Sequence, residues 1–252
     1  MNFKIPKDID MNQQASWCPG CGHGIICRVI TEAVQELGVS NKVLTVDDVA
    51  CGQFGQFAMK YNTVMGAHGR TIVTAAGLKH ARPDCLVIAR PGDGSAYSIG
   101  IESTLYSAIR NDNILAIVIN NSVFGMTGGQ MSPASLPGMK TATSPFGRDE
   151  KKNGSMLDIT KILSQTDMAY LARGAVNTPA NTEKVKKMIK KALQYQMEGA
   201  GFCLIDVLSM CPTNWKLSEI DACEYIKTTQ SKYLPLGEFI DRGAAADKGG
   251  DK

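Results

Sequence analysis

Between Cys85 and Asn121 the apolar positions change period twice, and the changes read as strand, turn, helix and strand. Cys85-Leu86-Val87-Ile88-Ala89-Arg90 is a short run rich in branched apolar residues, and Gly92 to Ser95 breaks it as a turn. From Ala96 to Arg110 the period lengthens to that of a helix: Ile99, Leu105, Ala108 and Ile109 share a stripe that leaves Glu102 and Arg110 outside it. The run from Ile114 to Ile119 is apolar on both faces, as a strand inside a covered parallel sheet must be. Similar patterns predict helices over 24–37, 71–79, 156–164 and 182–198, and further strands over 43–47 and 202–208. Alternation of this kind predicts an α/β fold, a mostly parallel central sheet with helices on both faces.

The pattern also sets the domain organisation. Residues 1–242 are expected to form one domain, and 243–252, small and charged, a disordered tail. Residues 122–153 hold many Gly, Pro, Ser and Thr and little periodicity. So long an irregular stretch in a compact domain is expected to cover a ligand or contact a subunit.

Composition removes several classes of function. The chain has 252 residues, 44% of them hydrophobic, enough for a sizeable core. Its net charge of +3 is too small to argue for nucleic acid. No apolar run reaches transmembrane length, and the polar start of the chain lacks a cleavable apolar segment, so a cytoplasmic protein away from membranes is expected. Lys184, Lys186, Lys187, Lys190 and Lys191 read as the solvated face of a helix whose other side carries Val185, Met188, Ile189 and Leu193; the sharper reading is a dock for an acidic protein partner.

The chemistry starts at two strand ends. Asp93, in Gly92-Asp93-Gly94, and Asn121, in Asn120-Asn121, close a β-α-β segment of about thirty residues. Both fall just past the carboxyl ends of strands, where open α/β sheets bind ligands. Magnesium takes oxygen ligands and leaves room for phosphate and water, so Asp93, Asn121 and a backbone carbonyl at Val123 suit a magnesium diphosphate. The glycines let the backbone approach phosphate, and the helix after Gly94 offers its positive end.

Eight cysteines make a separate argument. In a chain expected to stay in a reducing compartment, metal or redox use is favoured over disulfides. Cys18 and Cys21 form a C-x-x-C among glycines, Cys51 precedes Gly52, and Cys211 precedes Pro212 at the end of a strand-like run. One close pair and two single cysteines leave a structural zinc site and a thioredoxin-like exchange pair open as alternatives. Cys85 and Cys203 sit in apolar runs and read as core. Cys27 is close enough to the C-x-x-C to be an alternative fourth ligand, but the following helix is expected to turn it into the core, and Cys223 has no assigned role.

Gly92-Asp93-Gly94-Ser95 through Asn120-Asn121-Ser122-Val123-Phe124-Gly125-Met126-Thr127-Gly128-Gly129-Gln130 resembles the thiamine diphosphate motif of the β subunits of 2-oxoacid:ferredoxin oxidoreductases. Trp17-Cys18-Pro19-Gly20-Cys21-Gly22-His23-Gly24, Ala67-His68-Gly69-Arg70, Thr143-Ser144-Pro145-Phe146-Gly147-Arg148 and Cys211-Pro212-Thr213-Asn214-Trp215 carry the same resemblance, over about residues 15–220. It implies a thiamine diphosphate-binding fold, with cofactor contacts from Cys51, Gly52, His68, Gly92, Asp93, Gly94, Ser95, Asn121, Val123, Gly125, Met126 and Thr127. It implies Mg2+ on Asp93, Asn121 and Val123, and a 4Fe-4S cluster on Cys18, Cys21, Cys51 and Cys211. His68 and Arg70 become candidate catalytic residues, and His23 a neighbour of the cluster or cofactor.

Cofactor and cluster together imply coenzyme A-dependent oxidative decarboxylation of a 2-oxo acid, with electrons leaving to ferredoxin. Thiamine enzymes also need an activating glutamate. Glu102 is the only acid in the helix after Gly-Asp-Gly, and its position favours solvent. The resemblance therefore implies a partner α subunit that brings the glutamate and part of the substrate pocket, together with small γ and ferredoxin-like δ subunits in some assemblies. Gly52-Gln53-Phe54-Gly55-Gln56-Phe57 has two aromatics and no cation, which leans toward a branched-chain 2-oxo acid; 2-oxoglutarate and pyruvate remain alternatives. A zinc-stabilised or electron-transfer binding module without catalysis is the alternative of another class.

Overall fold

The computed structural model describes residues 5–13 and 16–243. In chain order the elements are α1 (His23–Glu36), β1 (Val43–Asp48), α2 (Gly55–Ala58), β2 (Asn62–Gly66), α3 (Thr71–Ala81), β3 (Leu86–Arg90), α4 (Ile101–Arg110) and β4 (Leu115–Asn120). They continue with β5 (Val123–Phe124), β6 (Gln130–Met131), α5 (Glu150–Asn153), α6 (Ile159–Leu163), β7 (Tyr170–Ala175), α7 (Pro179–Glu198) and β8 (Cys203–Leu208). The last are α8 (Pro212–Trp215), α9 (Glu219–Tyr225), α10 (Ser231–Tyr233) and β9 (Gly237–Asp241). A seven-stranded sheet runs β2-β1-β3-β4-β8-β7-β9. All its neighbours are parallel except β7 and β9, which are antiparallel.

The central strands are buried on both sides, and their side chains divide by parity, as strand pleating requires. Leu115, Ile117 and Ile119 of β4 pack with α1 and α7, while Ala116 and Val118 pack on the other side with Ala75 of α3 and Leu163 of α6. The expected parallel sheet with helices on both faces is thus observed. Residues 244–252, most of the expected tail, lie outside the described residues.

Four local expectations are corrected. The helix expected from Ala96 to Arg110 is split: a wide π-turn occupies Ser95–Ile99, and α4 starts after Gly100. Each extra residue in a helical turn rotates the next part of the helix by about 100°. Ile99 and Ile109 accordingly face outward, and the buried face carries Ser103, Thr104, Ser107 and Ala108. Thr104 Oγ1 donates toward the Ala96 and Gly100 carbonyls at 2.8 and 3.0 Å, and the Gly100 carbonyl also accepts Thr104 N at 2.9 Å. Second, α6 is shorter than the span from Met156 to Ser164, because Asp158 caps it by accepting from Thr160 N.

Third, the stretch 122–153 is built rather than irregular. It opens with the β5–β6 hairpin, and the buried Arg148 guanidinium then donates to the carbonyls of Ser132, Pro133, Ser135, Gly154 and Ser155. Fourth, the lysine face of α7 is not simply solvated. Lys186 pairs with Glu32, Glu36 and Glu183, Lys190 with Glu36, and Lys191 with Glu238 and Asp241. These pairs tie α7 to α1 and β9. Among the described residues, no helix is long and apolar enough to cross a membrane.

Candidate cofactor site

Strand order decides what meets at the carboxyl edge of the sheet. The parallel strands β1, β3, β4 and β8 are successive neighbours, so the residues that follow them lie side by side. Asp48 ends β1, Asp93 follows β3, Asn121 follows β4 and Cys211 follows β8. His23, Asp48, Cys51, Gly52, His68, Gly92, Asp93, Gly94, Ser95, Asn121, Val123, Gly125 and Met126 line one cleft there.

Asp93 is buried at its base. Its Oδ1 accepts from Asn121 N at 3.3 Å and its Oδ2 from Ser132 Oγ at 2.5 Å. Burial pushes the Asp93 carboxyl up to about 7, against the pull of those hydrogen bonds, and the charge of Asp206 adds to the rise. A cation in the cleft would reverse that shift. Asn121 Oδ1 accepts from Val123 N at 3.2 Å, and the Trp215 indole donates to the Asn121 carbonyl at 3.0 Å. A carboxylate and an amide oxygen thus stand together on a braced turn, a donor set that fits magnesium. Gly94 must be glycine here: an added Cβ would lie 2.5 Å from the Phe124 ring.

The cysteines converge beside this base. Burial pushes Cys21 up to about 12 and Cys51 up to about 11, and the charges of neighbouring cysteines add to both rises. Cys21 feels Cys211, Cys51 and Cys18; Cys51 feels Cys211 and Cys18; Cys211 feels Cys18. The cysteines selected from sequence are therefore mutual neighbours, whereas Cys27, Cys85 and Cys203 are buried elsewhere. Among the described residues, no three or more His, Cys, Asp or Glu side chains converge tightly enough to hold one metal ion. Nitrogens lie against two of the sulfurs: Asn214 Nδ2 donates to Cys211 Sγ at 3.3 Å, and His23 Nδ1 lies 3.2 Å from Cys21 Sγ. Burial and the nearby Arg90 push His23 down to about 3. That keeps its imidazole neutral.

Gly125 joins the two halves. A Cβ added there would lie 3.4 Å from Asn121 Nδ2 and 3.5 Å from Cys51 Sγ.

The family model for the thiamine pyrophosphate enzyme C-terminal TPP-binding domain matches residues 48–207. The 2-oxoglutarate synthase subunit KorB of Archaeoglobus fulgidus is 34% identical over 212 residues, 84% of this chain and 75% of its own length. The ketoisovalerate oxidoreductase subunit VorA of Methanothermobacter thermautotrophicus is 35% identical over 232 residues, 92% of this chain but 49% of its own length. A solved 2-oxoglutarate:ferredoxin oxidoreductase from Magnetococcus marinus, with 2-oxoglutarate, coenzyme A and succinyl-CoA bound, matches with a TM-score of 0.76 at 27% identity, over 96% of this chain and 86% of its own. The chain belongs to the β-subunit family of 2-oxoacid:ferredoxin oxidoreductases.

The β-subunit chain spans about half the length of the ketoisovalerate subunits it matches. Within it, the thiamine-binding match includes Asp93, Asn121 and Cys51, while Cys18, Cys21 and Cys211 lie outside the matched range. Some sequence candidates of this β subunit sit apart from the cleft. Arg70 pairs with Glu102 at 3.0 Å and donates to the Ile99 carbonyl at 3.1 Å. Thr127 is exposed in the hairpin and donates to Gln130 Oε1 at 2.6 Å. Ser95, in contrast, lines the cleft, and its hydroxyl donates to Asp48 Oδ1 at 3.0 Å.

Sequence reasoning missed Asp48 and Ser132. Asp48 carried a usable signal, since it directly follows the strand expected over 43–47, just as Asp93 and Asn121 follow theirs. Ser132 carried none, being one of many serines in an aperiodic stretch.

Proposed function

We propose that this chain is the thiamine diphosphate-binding part of an enzyme that converts a 2-oxo acid and coenzyme A to an acyl-CoA and CO2 and passes the electrons through a 4Fe-4S cluster to ferredoxin. The observation that carries the reading is the shared wall at Cys51 and Gly125, where the thiol neighbourhood meets the Asp93–Asn121 base. Bound thiamine diphosphate supplies the carbon that makes decarboxylation possible and leaves electrons to be removed. The chain's own residues supply the rest. Asp93, Asn121 and the Val123 backbone hold Mg2+ and through it the diphosphate. Cys18, Cys21, Cys51 and Cys211 would hold the cluster, with Asn214 Nδ2 donating to Cys211 Sγ and a His23 ring nitrogen beside Cys21 Sγ. A zinc-stabilised module without catalysis would keep the cysteines but give no reason for a thiamine-binding domain.

An activating carboxylate comes from a partner α subunit in this reading. Glu102 supports it, being exposed and paired with Arg70 rather than turned to the cleft. The substrate is a branched-chain 2-oxo acid, supported by a cleft with no Lys or Arg in its wall among the described residues. Arg90 lies near, yet it is fully buried and committed to Asp47. A second reading, 2-oxoglutarate, is favoured by relatives such as the Archaeoglobus subunit and needs a cation from the partner. Iron and thiamine content of the assembled complex tests the site. Asp93→Ala is expected to lose thiamine and keep iron, and Cys51→Ser the reverse; zinc in place of iron sinks the cluster. Turnover of 2-oxoisovalerate, 2-oxoglutarate and pyruvate by the same complex ranks the substrates.

A further inference from the structure

Strand pleating sends Asp47 and Asp48 to opposite faces of β1. Asp47 meets the buried Arg90 guanidinium beneath the Cys51 turn. Asp48 goes the other way, and its side chain is fully buried beside His68. Asp48 Oδ1 accepts from Thr71 Oγ1 and Ser95 Oγ, each at 3.0 Å. Ser95 is fixed as a donor, because its oxygen already accepts the Gly69 N–H at 2.9 Å. Asp48 Oδ2 faces His68 Nδ1 at 3.4 Å, and neither buried atom has a hydrogen-bond partner among the described residues. The His68 side chain is 30% exposed and lines the cleft; Nδ1 is its buried nitrogen, which leaves Nε2 as the ring nitrogen available to the cleft.

We infer that Asp48 is a positioning residue that holds His68 as the tautomer protonated on Nδ1, leaving the Nε2 lone pair in the cleft as a proton acceptor. An ionised carboxylate only accepts, and a neutral imidazole donates from one nitrogen and accepts at the other. An Nδ1–H therefore satisfies both orphaned atoms at once. Leaving a buried carboxylate oxygen unmatched is costly. Burial pushes the Asp48 carboxyl up, while His68, the two hydroxyls and the Gly92 backbone N–H pull it down. A protonated Asp48 would instead donate to Nδ1 and leave the imidazole proton on Nε2. The ligand class served is one that gives up a proton from oxygen, nitrogen or sulfur beside the diphosphate cradle. That role in turnover rests on the function proposed above; the tautomer does not.

Nitrogen NMR of the full chain labelled at its three histidines tests the inference, with His68 assigned by its loss in His68→Gln. The wild type is expected to carry the proton on Nδ1. In Asp48→Asn the Ser95 donor keeps the amide oxygen at the Oδ1 position, so the amide NH2 faces Nδ1 and drives the proton to Nε2. A wild-type His68 protonated on Nε2 overturns the inference, whether or not the variant folds. So does a folded Asp48→Asn chain with its tautomer unchanged. In the assembled complex, Asp48→Asn and His68→Gln are each expected to lower kcat on the order of 100-fold with a smaller change in KM. The double variant is expected to match His68→Gln alone; multiplicative losses overturn the coupling. The expected tautomer in a complex that turns over no 2-oxo acid would fail the functional reading and leave the positioning intact.

Discussion

Ser132 Oγ donates to Asp93 Oδ2 at 2.5 Å, tying the end of the β5–β6 hairpin to the turn after β3. The contact is short and made to a buried carboxylate, the kind of hydrogen bond that contributes most. Arg148 holds the hairpin's return chain by its carbonyls, including that of Ser132 itself. Ser132→Ala is expected to weaken Mg2+-thiamine diphosphate binding by roughly tenfold or more, about 1.5–3 kcal/mol. Calorimetric titration checks this, and an unchanged affinity would show that the serine only fills space.

Asp93 gives the metal-free chain a pH-dependent stability of definite sign. Its folded carboxyl titrates near 7, above the ordinary 3.8. Between those values the folded chain keeps a proton that the unfolded chain has lost, so stability falls as pH rises through the window. The loss is on the order of 4 kcal/mol across it, at about 1.4 kcal/mol per unit. Thermal melts of the metal-free chain from pH 4 to 8 should slope downward, and the slope should flatten in Asp93→Asn. Mg2+-thiamine diphosphate should restore the wild type at pH 8 but not the variant. Parallel profiles for the two chains would mean that Asp93 is not the group responsible.

The glycines of neighbouring helices should respond in opposite directions. A Cβ on Gly100 would lie 2.5 Å from the Gly69 carbonyl oxygen, a backbone atom that cannot step aside, next to His68. A Cβ on Gly77, inside α3, would meet nothing within 4 Å. Gly100→Ala is expected to destabilise the chain by roughly 2 kcal/mol, and Gly77→Ala to stabilise it by about 0.5–1 kcal/mol. Urea denaturation of the two variants beside the wild type measures both. Equal and small effects would show that the backbones of Gly69 and Gly100 can part at little cost.

The same crossing marks where the sequence stopped being legible. The β-α-β segment was readable because β3 and β4 are buried on both faces, so apolar runs sit where a parallel sheet needs them. The break at Gly100 was not, because it answers to a contact with Gly69 on another element. Strand β7 hid for a related reason: its Tyr-Leu-Ala-Arg-Gly-Ala run contains a charge, and only the fold shows Arg173 buried between Asp158 and Asp206 at 2.7 and 2.6 Å. In the site, the strand-end positions of Asp93 and Asn121 could be read from the apolar runs before them, and the Cys18–Cys21 pair from its spacing. Where the Arg70 and Thr127 side chains go was not legible, because their partners Glu102 and Gln130 show only in the fold.

Asn214 offers a test of the cysteine set that does not depend on turnover. Its Nδ2 lies 3.3 Å from Cys211 Sγ and 3.0 Å from the Gly125 carbonyl, so one amide touches a proposed cluster ligand and the wall of the cleft. An N–H aimed at a cluster sulfur stabilises the more electron-rich state and raises the reduction potential. Asn214→Ala is therefore expected to keep its iron and shift the cluster potential downward by roughly tens of millivolts, as hydrogen bonds to sulfur tune it. A redox titration followed by electron paramagnetic resonance reads the shift directly. Loss of iron would instead give the asparagine a structural role at Cys211. An unchanged potential with full iron would place the reducible centre away from Cys211.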